Sequence, residues 1–340
     1  MKTMKLGLQL GYWGAQPPQG FVSLVQEAER LGYDSVWTAE AYGSDALTPL
    51  AWIGSQTSRI RLGTGVCQLS ARAPTALAMA AMTLDHLTQG RLILGLGVSG
   101  PQVVEGWYGA PFDKPLARTR AYIDIIRQVL RREAPVTSSG PHYPLPYTGE
   151  GAWGLGKPLK SILHPFREDI PIFLGAEGPK NVAMTAEIAD GWLPLYYSPF
   201  RQEVYAPSLS NAKAGFEISQ GVVVNITDDR ERGLAPVKNM LALYVGGMGA
   251  KDRNFHKELI SRMGFEAEAN RIQELFLSGR KAEAAAAVPD KLADEIALVG
   301  SRDYIRDRLS AWRETPVTSL LVSARNPAEL QTLAELVLGA

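Results

Sequence analysis

The stretch RLILGLGVSG, Arg91–Gly100, is an apolar strand running into Gly95, Gly97 and Gly100. Taken alone it is G-x-G-x-x-G after a strand, where glycine lets backbone approach a pyrophosphate at a helix N-terminus. Two further strands end in the same way, RLGTG at Arg61–Gly65 and IFLGAEG at Ile172–Gly178. A dinucleotide-binding fold concentrates its fingerprint in one βαβ unit. Glycine repeated at several strand C-termini suits a (β/α)8 barrel instead, because its active-site loops all leave one rim. The residues after Gly100, PQVVEGWYGAPF, also make a poor close-packing helix start.

Other chemistry-bearing residues are sparse. Cys67 is the only cysteine, so the chain has no internal disulfide and no cysteine metal cluster. It reads either as a small buried apolar residue or as a redox-active thiol. His86, His142, His164 and His256 lack metal-ligand spacing, and no metal is expected. His86 falls near a helix end, where a structural role fits, whereas His142 and His164 lie in a long loop from which they could reach a barrel mouth.

These residues need a scaffold, and the periodicity supplies one. Buried-strand runs recur at KLGLQLG (Lys5–Gly11), YDSVWTAE, RIRLGTGV, RLILGLG, IPIFLGAEG, DGWLPL, EISQGVVVNI and VTSLLVS. Helical patterns alternate with them, as in Phe21, Leu24, Val25, Ala28 and Leu31, or in the helix opened by Pro74. Eight strands alternating with helices predict a parallel (β/α)8 TIM barrel. Residues 134–169 break the rhythm with a Pro- and Gly-rich excursion, read as a loop over the C-terminal rim. Ala-, Leu- and Glu-rich stretches at about 232–287 predict extra helices. No shift in composition marks a boundary, so 1–340 reads as one domain.

Composition limits the function. The chain has 340 residues, 46% hydrophobic and 21% charged, with 35 basic and 35 acidic side chains. No basic stripe points to nucleic acid or an anionic membrane. No uncharged run approaches the ~20 apolar residues that span a bilayer, and the N-terminus lacks signal-peptide features. A cytoplasmic setting is expected, with a homo-oligomer left open.

YDSVWTAEAYGSDALTPL, RIRLGTGV, TLDHLTQGRLILGLGVSGP and IPIFLGAEGPKNVAMTAEIADGWLP together resemble the bacterial luciferase-like superfamily. The closest likeness is to its branch using coenzyme F420, a 5-deazaflavin hydride carrier. The resemblance runs from about Lys5 to Pro199 and is looser beyond. It implies a cofactor ring at the C-terminal rim, backed by a bulge with a non-proline cis peptide after the third strand. That places Gly65 and Val66 in the bulge, the bond between them cis, with Cys67 and Gln68 nearby. Ser99, Gly100 and Pro101 match the turn beside the cofactor's ribityl chain and phosphate. Gly175, Ala176, Glu177 and Gly178 match the turn after the fifth strand, and Pro179, Lys180 and Asn181 open the next helix. A helix N-terminus suits a phosphate; Lys180 either adds charge there or is simply solvated.

Glu40 matches the family's acidic position after the second strand and is the acid–base candidate. A desolvated carboxyl there could transfer a proton, or it could hydrogen-bond backbone or cofactor and never do so. Many deazaflavin-dependent relatives carry a histidine next, where this chain has Ala41. Tyr12, Trp13, Tyr42, Trp107, Trp153, Tyr196 and Tyr197 suggest a pocket for an apolar substrate or contribute to the core. The resemblance implies an F420-dependent oxidoreductase acting on a small organic substrate. The alternatives are an FMN-dependent monooxygenase fed by a partner reductase and a non-catalytic flavin-binding protein.

Overall fold

The computed structural model describes residues 3–249, 251–252 and 254–339. Its strands are β1 (Lys5–Gly11), β2 (Ser35–Thr38), β3 (Arg61–Thr64), β4 (Cys67–Gln68), β5 (Leu92–Gly97) and β6 (Ile172–Gly175), followed by β7 (Gly191–Leu193), β8 (Glu217–Gly221), β9 (Val224–Ile226), β10 (Leu298–Gly300) and β11 (Ser319–Val322). With β3 and β4 as two segments of one strand, and β9 and β10 paired apart, eight parallel strands alternate with helices. The fold is a (β/α)8 barrel.

The chain is shared between two compact units. The central unit holds Leu10–Gln26 and Ser35–Gly175; the terminal unit holds Met1–Gln9, Glu27–Asp34 and Ala176–Ala340.

In the central unit β2 pairs with β3 from Ser35↔Arg61 to Thr38↔Thr64, and β5 pairs with β6 from Leu94↔Ile172 to Leu96↔Leu174. Every residue of β2 and of β5 is buried. Strands covered on both faces need continuous rather than alternating apolar runs, which is why SVWT and LILGLG read as they do. The helix Pro74–Leu87 starts on proline, whose missing N–H is no loss in a first turn. Its Asp85 is fully buried but accepts three hydrogen bonds from Arg167, as a buried charge requires.

The register reveals one extra residue. Leu62 of β3 faces Leu92 of β5, an offset of 30, whereas Cys67 of β4 faces Leu96, an offset of 29. A one-residue surplus on one strand is a bulge, and it contains Gly65 and Val66, whose peptide bond is cis as expected.

In the terminal unit the order is β1-β11-β8-β7. EISQGVVVNI, expected as one strand, is two: β8 ends at Gly221, and β9 pairs instead with β10, which the sequence reading did not anticipate. Val223 is 36% exposed, so the apolar run masks a turn between two short strands. The helices expected at 232–287 are Arg230–Gly247, Phe255–Ile260, Glu266–Leu277 and Lys281–Ala286.

Between Arg131 and Ile172 no helix or strand forms, only the bridge Ser138↔Leu145. The excursion touches the C-terminal end of the central unit at Tyr143, whose hydroxyl faces Arg118 near Ser70. It then returns to the opposite end, where Arg167 donates to the Leu92 carbonyl at the start of β5. His164 goes with it: Nε2 of His86 donates to its carbonyl at 2.8 Å. Trp153 and Leu155 are 91% and 80% exposed. No helix among the described residues is long and apolar enough to cross a membrane.

Candidate active site

The C-terminal ends of the central strands form a surface poor in side chains. Thr64 locks β3 to β5: its Oγ1 donates to the Gly95 carbonyl and accepts from the Gly95 N–H, both at 2.8 Å. The bulge follows, held to β2 where the Gly65 N–H donates to the Thr38 carbonyl and the Glu40 N–H to the Val66 carbonyl.

The strand-ending glycines serve Val66. A Cβ on Gly97 would fall 2.6 Å from its Cγ2, and one on Gly175 would lie 3.4 Å from its Cγ1. Gly97, the middle glycine of the apparent dinucleotide motif, is therefore a receptacle for the bulge. Gly63 plays the same part toward the Trp37 ring, 2.3 Å from where its Cβ would be.

Gly65, Val66, Ser99, Gly100, Pro101 and Gly175 are half-buried above strands that are otherwise buried. Ser99 adopts φ +60°, a left-handed conformation uncommon outside glycine and concentrated at functional sites. A short helix, Pro101–Gly106, begins at the next turn, which corrects the reading of PQVVEG as a poor helix start. The Pro101 ring presets its first turn.

Glu40 is 7% exposed and accepts four hydrogen bonds from three donor groups. Oε1 accepts from the Gln68 N–H at 2.9 Å and from Arg72 Nη1 at 2.7 Å. Oε2 accepts from the Ala46 N–H at 3.2 Å and from the same Arg72 nitrogen at 3.0 Å. Burial pushes the Arg72 guanidinium down, and the hydrogen bond and charge of Glu40 outweigh it, so the net shift is upward. Gln68 continues the network, donating to the carbonyls of Glu40 and Ala41. Its Oε1 is buried without a partner among the described residues. Tyr108 donates to the Ala41 carbonyl at 3.1 Å. Arg72, Thr64 and Tyr108 were not anticipated. A threonine among the buried residues of β3 was the one available signal; Arg72 follows no period.

Cys67 is fully buried, and burial first, then the Glu40 charge, push its thiol up to about 12. It remains a protonated apolar residue at neutral pH. Among the rim aromatics, Tyr42 and Trp107 are 69% and 65% exposed and pack with ring centroids 6.5 Å apart. Tyr196 and Tyr197, by contrast, are core residues at 1% exposure.

The terminal unit holds the second expected turn. The Ala176 carbonyl accepts from the Trp192 indole N–H at 2.8 Å. Gly178 precedes the helix Pro179–Ile188, and a Cβ there would meet nothing within 4 Å. The Gly178 carbonyl accepts from the Asn181 N–H at 2.9 Å, while Lys180 is exposed. The Glu177 side chain turns to His256, whose Nδ1 lies 2.6 Å from its Oε2. Among the described residues, no group of three or more His, Cys, Asp or Glu could hold a metal ion.

A rim of strand-ending glycines around a bulge on a (β/α)8 barrel defines a luciferase-like site, and the luciferase-like monooxygenase family matches residues 5–319. The chain belongs to that family. It is 59% identical over 343 residues to Rv3520c of Mycobacterium tuberculosis, a proposed coenzyme F420-dependent oxidoreductase, covering 98% of this chain and 99% of that one. The coenzyme F420-dependent tetrahydromethanopterin reductase of Methanopyrus kandleri superposes with a TM-score of 0.79 at 21% identity over 99% of both chains. An F420-dependent secondary alcohol dehydrogenase in complex with an F420–acetone adduct superposes with a TM-score of 0.75 at 12% identity over 98% of both. Those two structural likenesses concern the fold.

Proposed function

We propose that the protein is an F420-dependent oxidoreductase of the luciferase-like class, moving a hydride between the deazaflavin and a small organic substrate. The observation that carries this reading is the bulge: Gly65–Val66 is pushed out of β3 and seated against Gly97 and Gly175, leaving a nearly side-chain-free shelf. A flat heteroaromatic ring needs such a surface, since backbone can approach its face where side chains cannot. Gln68 Oε1, without a partner among the described residues, adds a buried acceptor for a polar ring edge. The 59% identity to a proposed F420-dependent relative supports the same cofactor.

When bound, the deazaflavin supplies the hydride chemistry, accepting or donating two electrons at its central ring. The chain's own part is to bind, orient and exclude water. Gly65, Val66, Cys67 and Gln68 would back the ring, and Ser99, Gly100 and Pro101 would line its flank. Gly175, and separately Ala176, Glu177, Gly178, Lys180 and Asn181, serve through backbone, with the helix N-terminus after Gly178 suited to an anionic tail. Glu40, with both oxygens engaged by Arg72 and two backbone N–H groups, positions this shelf. The exposed pair Tyr42 and Trp107 offers an apolar surface to substrate. The lone buried thiol fits a reducing cytoplasm.

Anaerobic incubation with F420 and small alcohols, and with reduced F420 and small carbonyl compounds, tests the reading through deazaflavin fluorescence. Substrate-dependent loss or recovery of that signal is expected. Stoichiometric binding with no turnover across both panels would overturn it in favour of a flavin-binding protein.

A further inference from the structure

In the central unit, Ser70, Arg118 and Tyr143 converge from three separate segments of chain. Arg118 lies near the start of the helix Pro115–Arg131. Its Nη1 donates to the Pro111 carbonyl at 2.6 Å, which fixes the guanidinium. Its Nη2 faces two hydroxyls, Ser70 Oγ at 3.3 Å and Tyr143 Oη at 3.4 Å. Both contacts exceed the ~3.2 Å limit of an ordinary N–H···O bond, so this nitrogen is loosely engaged. A guanidinium is charged at every working pH, yet among the described residues no carboxylate pairs with Arg118. Glu40, the buried acid of this rim, is committed to Arg72 at 2.7 Å.

Neither hydroxyl is what holds its segment in place. The Tyr143 ring is seated edge-on against Tyr122, with centroids 5.4 Å apart, and the Tyr122 hydroxyl donates to the Arg72 carbonyl at 2.9 Å. Ser70 sits in a turn closed by backbone alone. The Leu69 N–H donates to the Gly97 carbonyl and the Ala71 N–H to the Gln68 carbonyl, both at 3.1 Å. Both hydroxyls are therefore available to a ligand, and both are half-buried with Arg118. Only two residues separate Ser70 from Gln68, a chain length of at most about 7 Å. The cluster thus adjoins the shelf, at the strand ends where barrels carry their chemistry.

We infer that Arg118, Ser70 and Tyr143 form a recognition site for a carboxylate on the substrate. The carboxylate oxygens accept from Arg118 Nη2 and from both hydroxyls, which replaces two long contacts with charge-assisted hydrogen bonds. One guanidinium matches a monoanion, whereas a phosphate dianion leaves a charge uncompensated. The amide of the same acid brings no charge, so the site distinguishes the two. The inference rests on the oxidoreductase reading and gives it a substrate class, organic acids.

Para-fluorobenzoate, para-fluorobenzamide and para-fluorophenyl phosphate serve as probes, titrated by fluorine NMR into the protein with and without F420. The benzoate is expected to bind at least tenfold tighter than the benzamide, with a preference that shrinks as salt is added. Arg118→Leu is expected to reduce that preference to about twofold or less, and Arg118→Lys to restore part of it. Tyr143→Phe, which keeps the ring contact with Tyr122, and Ser70→Ala are each expected to weaken benzoate binding about threefold and leave benzamide unchanged. Thermal denaturation identifies any loss of fold, and the two hydroxyl variants decide the matter if Arg118→Leu does not fold. Equal binding of acid and amide, or an unchanged preference in the folded variants, would overturn the inference. Tighter binding of the phosphate would overturn the assignment to a carboxylate. F420 affinity is expected to stay within about twofold in every variant; a parallel loss would overturn the inference by giving the cluster to the cofactor's anionic tail. Failure of the unsubstituted protein to bind F420 would instead sink the oxidoreductase reading, with the F420-free titrations still deciding the carboxylate site.

Discussion

Glu40 accepts four hydrogen bonds from three donor groups on its two oxygens, and that geometry separates the two roles its position suggests. A carboxylate tied to Arg72 and to two backbone N–H groups stabilises the rim rather than facing a substrate. Replacing one member of a buried ion pair leaves the other uncompensated. Glu40→Gln is therefore expected to cost about 2–3 kcal/mol in urea unfolding, with F420 affinity falling alongside as the Gln68 backbone loses its anchor. A stability and affinity close to wild type, with turnover down by roughly 10²-fold, would identify a general acid instead. The acidic residue was legible from its place after β2. Its partner was not, because Arg72 lies in the irregular segment before Pro74 and nothing in a linear sequence ties it to a residue 32 positions away. The same holds for His256, whose relation to Glu177 exists only once the chain folds.

At the scale of elements, the glycines that end β5 and β6 are explained by one side chain. Gly97→Ala places a methyl group 2.6 Å from Val66 Cγ2, and backbone-to-side-chain overlap of this kind costs about 1–3 kcal/mol. If the receptacle account holds, Val66→Ala relieves the clash, and the double-mutant cycle shows a coupling of at least ~1 kcal/mol. Additive effects would mean that Gly97 serves something other than the bulge. Strands such as β2, β5 and β11 were legible because every residue in them is buried, so each reads as a short apolar run. β8 and β9 were merged because VVV continues that run across a partly exposed turn, and β10 escaped notice as three residues between helices. The excursion's path was equally hidden, since its anchors, Tyr143 and Arg167, are long-range contacts with no local pattern.

For the molecule as a whole, a sequence that alternates eight apolar runs with amphipathic helices admits few architectures, and right-handed βαβ crossovers reduce them to the barrel. The cofactor is the less constrained quantity, because luciferase-like barrels present similar rims to flavins and deazaflavins. The direct measurement is a pair of fluorescence titrations of the purified apoprotein, one with F420 and one with FMN. The shelf around Val66 leads to an F420 dissociation constant at least tenfold below that for FMN, a gap of about 1.4 kcal/mol. Equal affinities, or tighter binding of FMN, would contradict it.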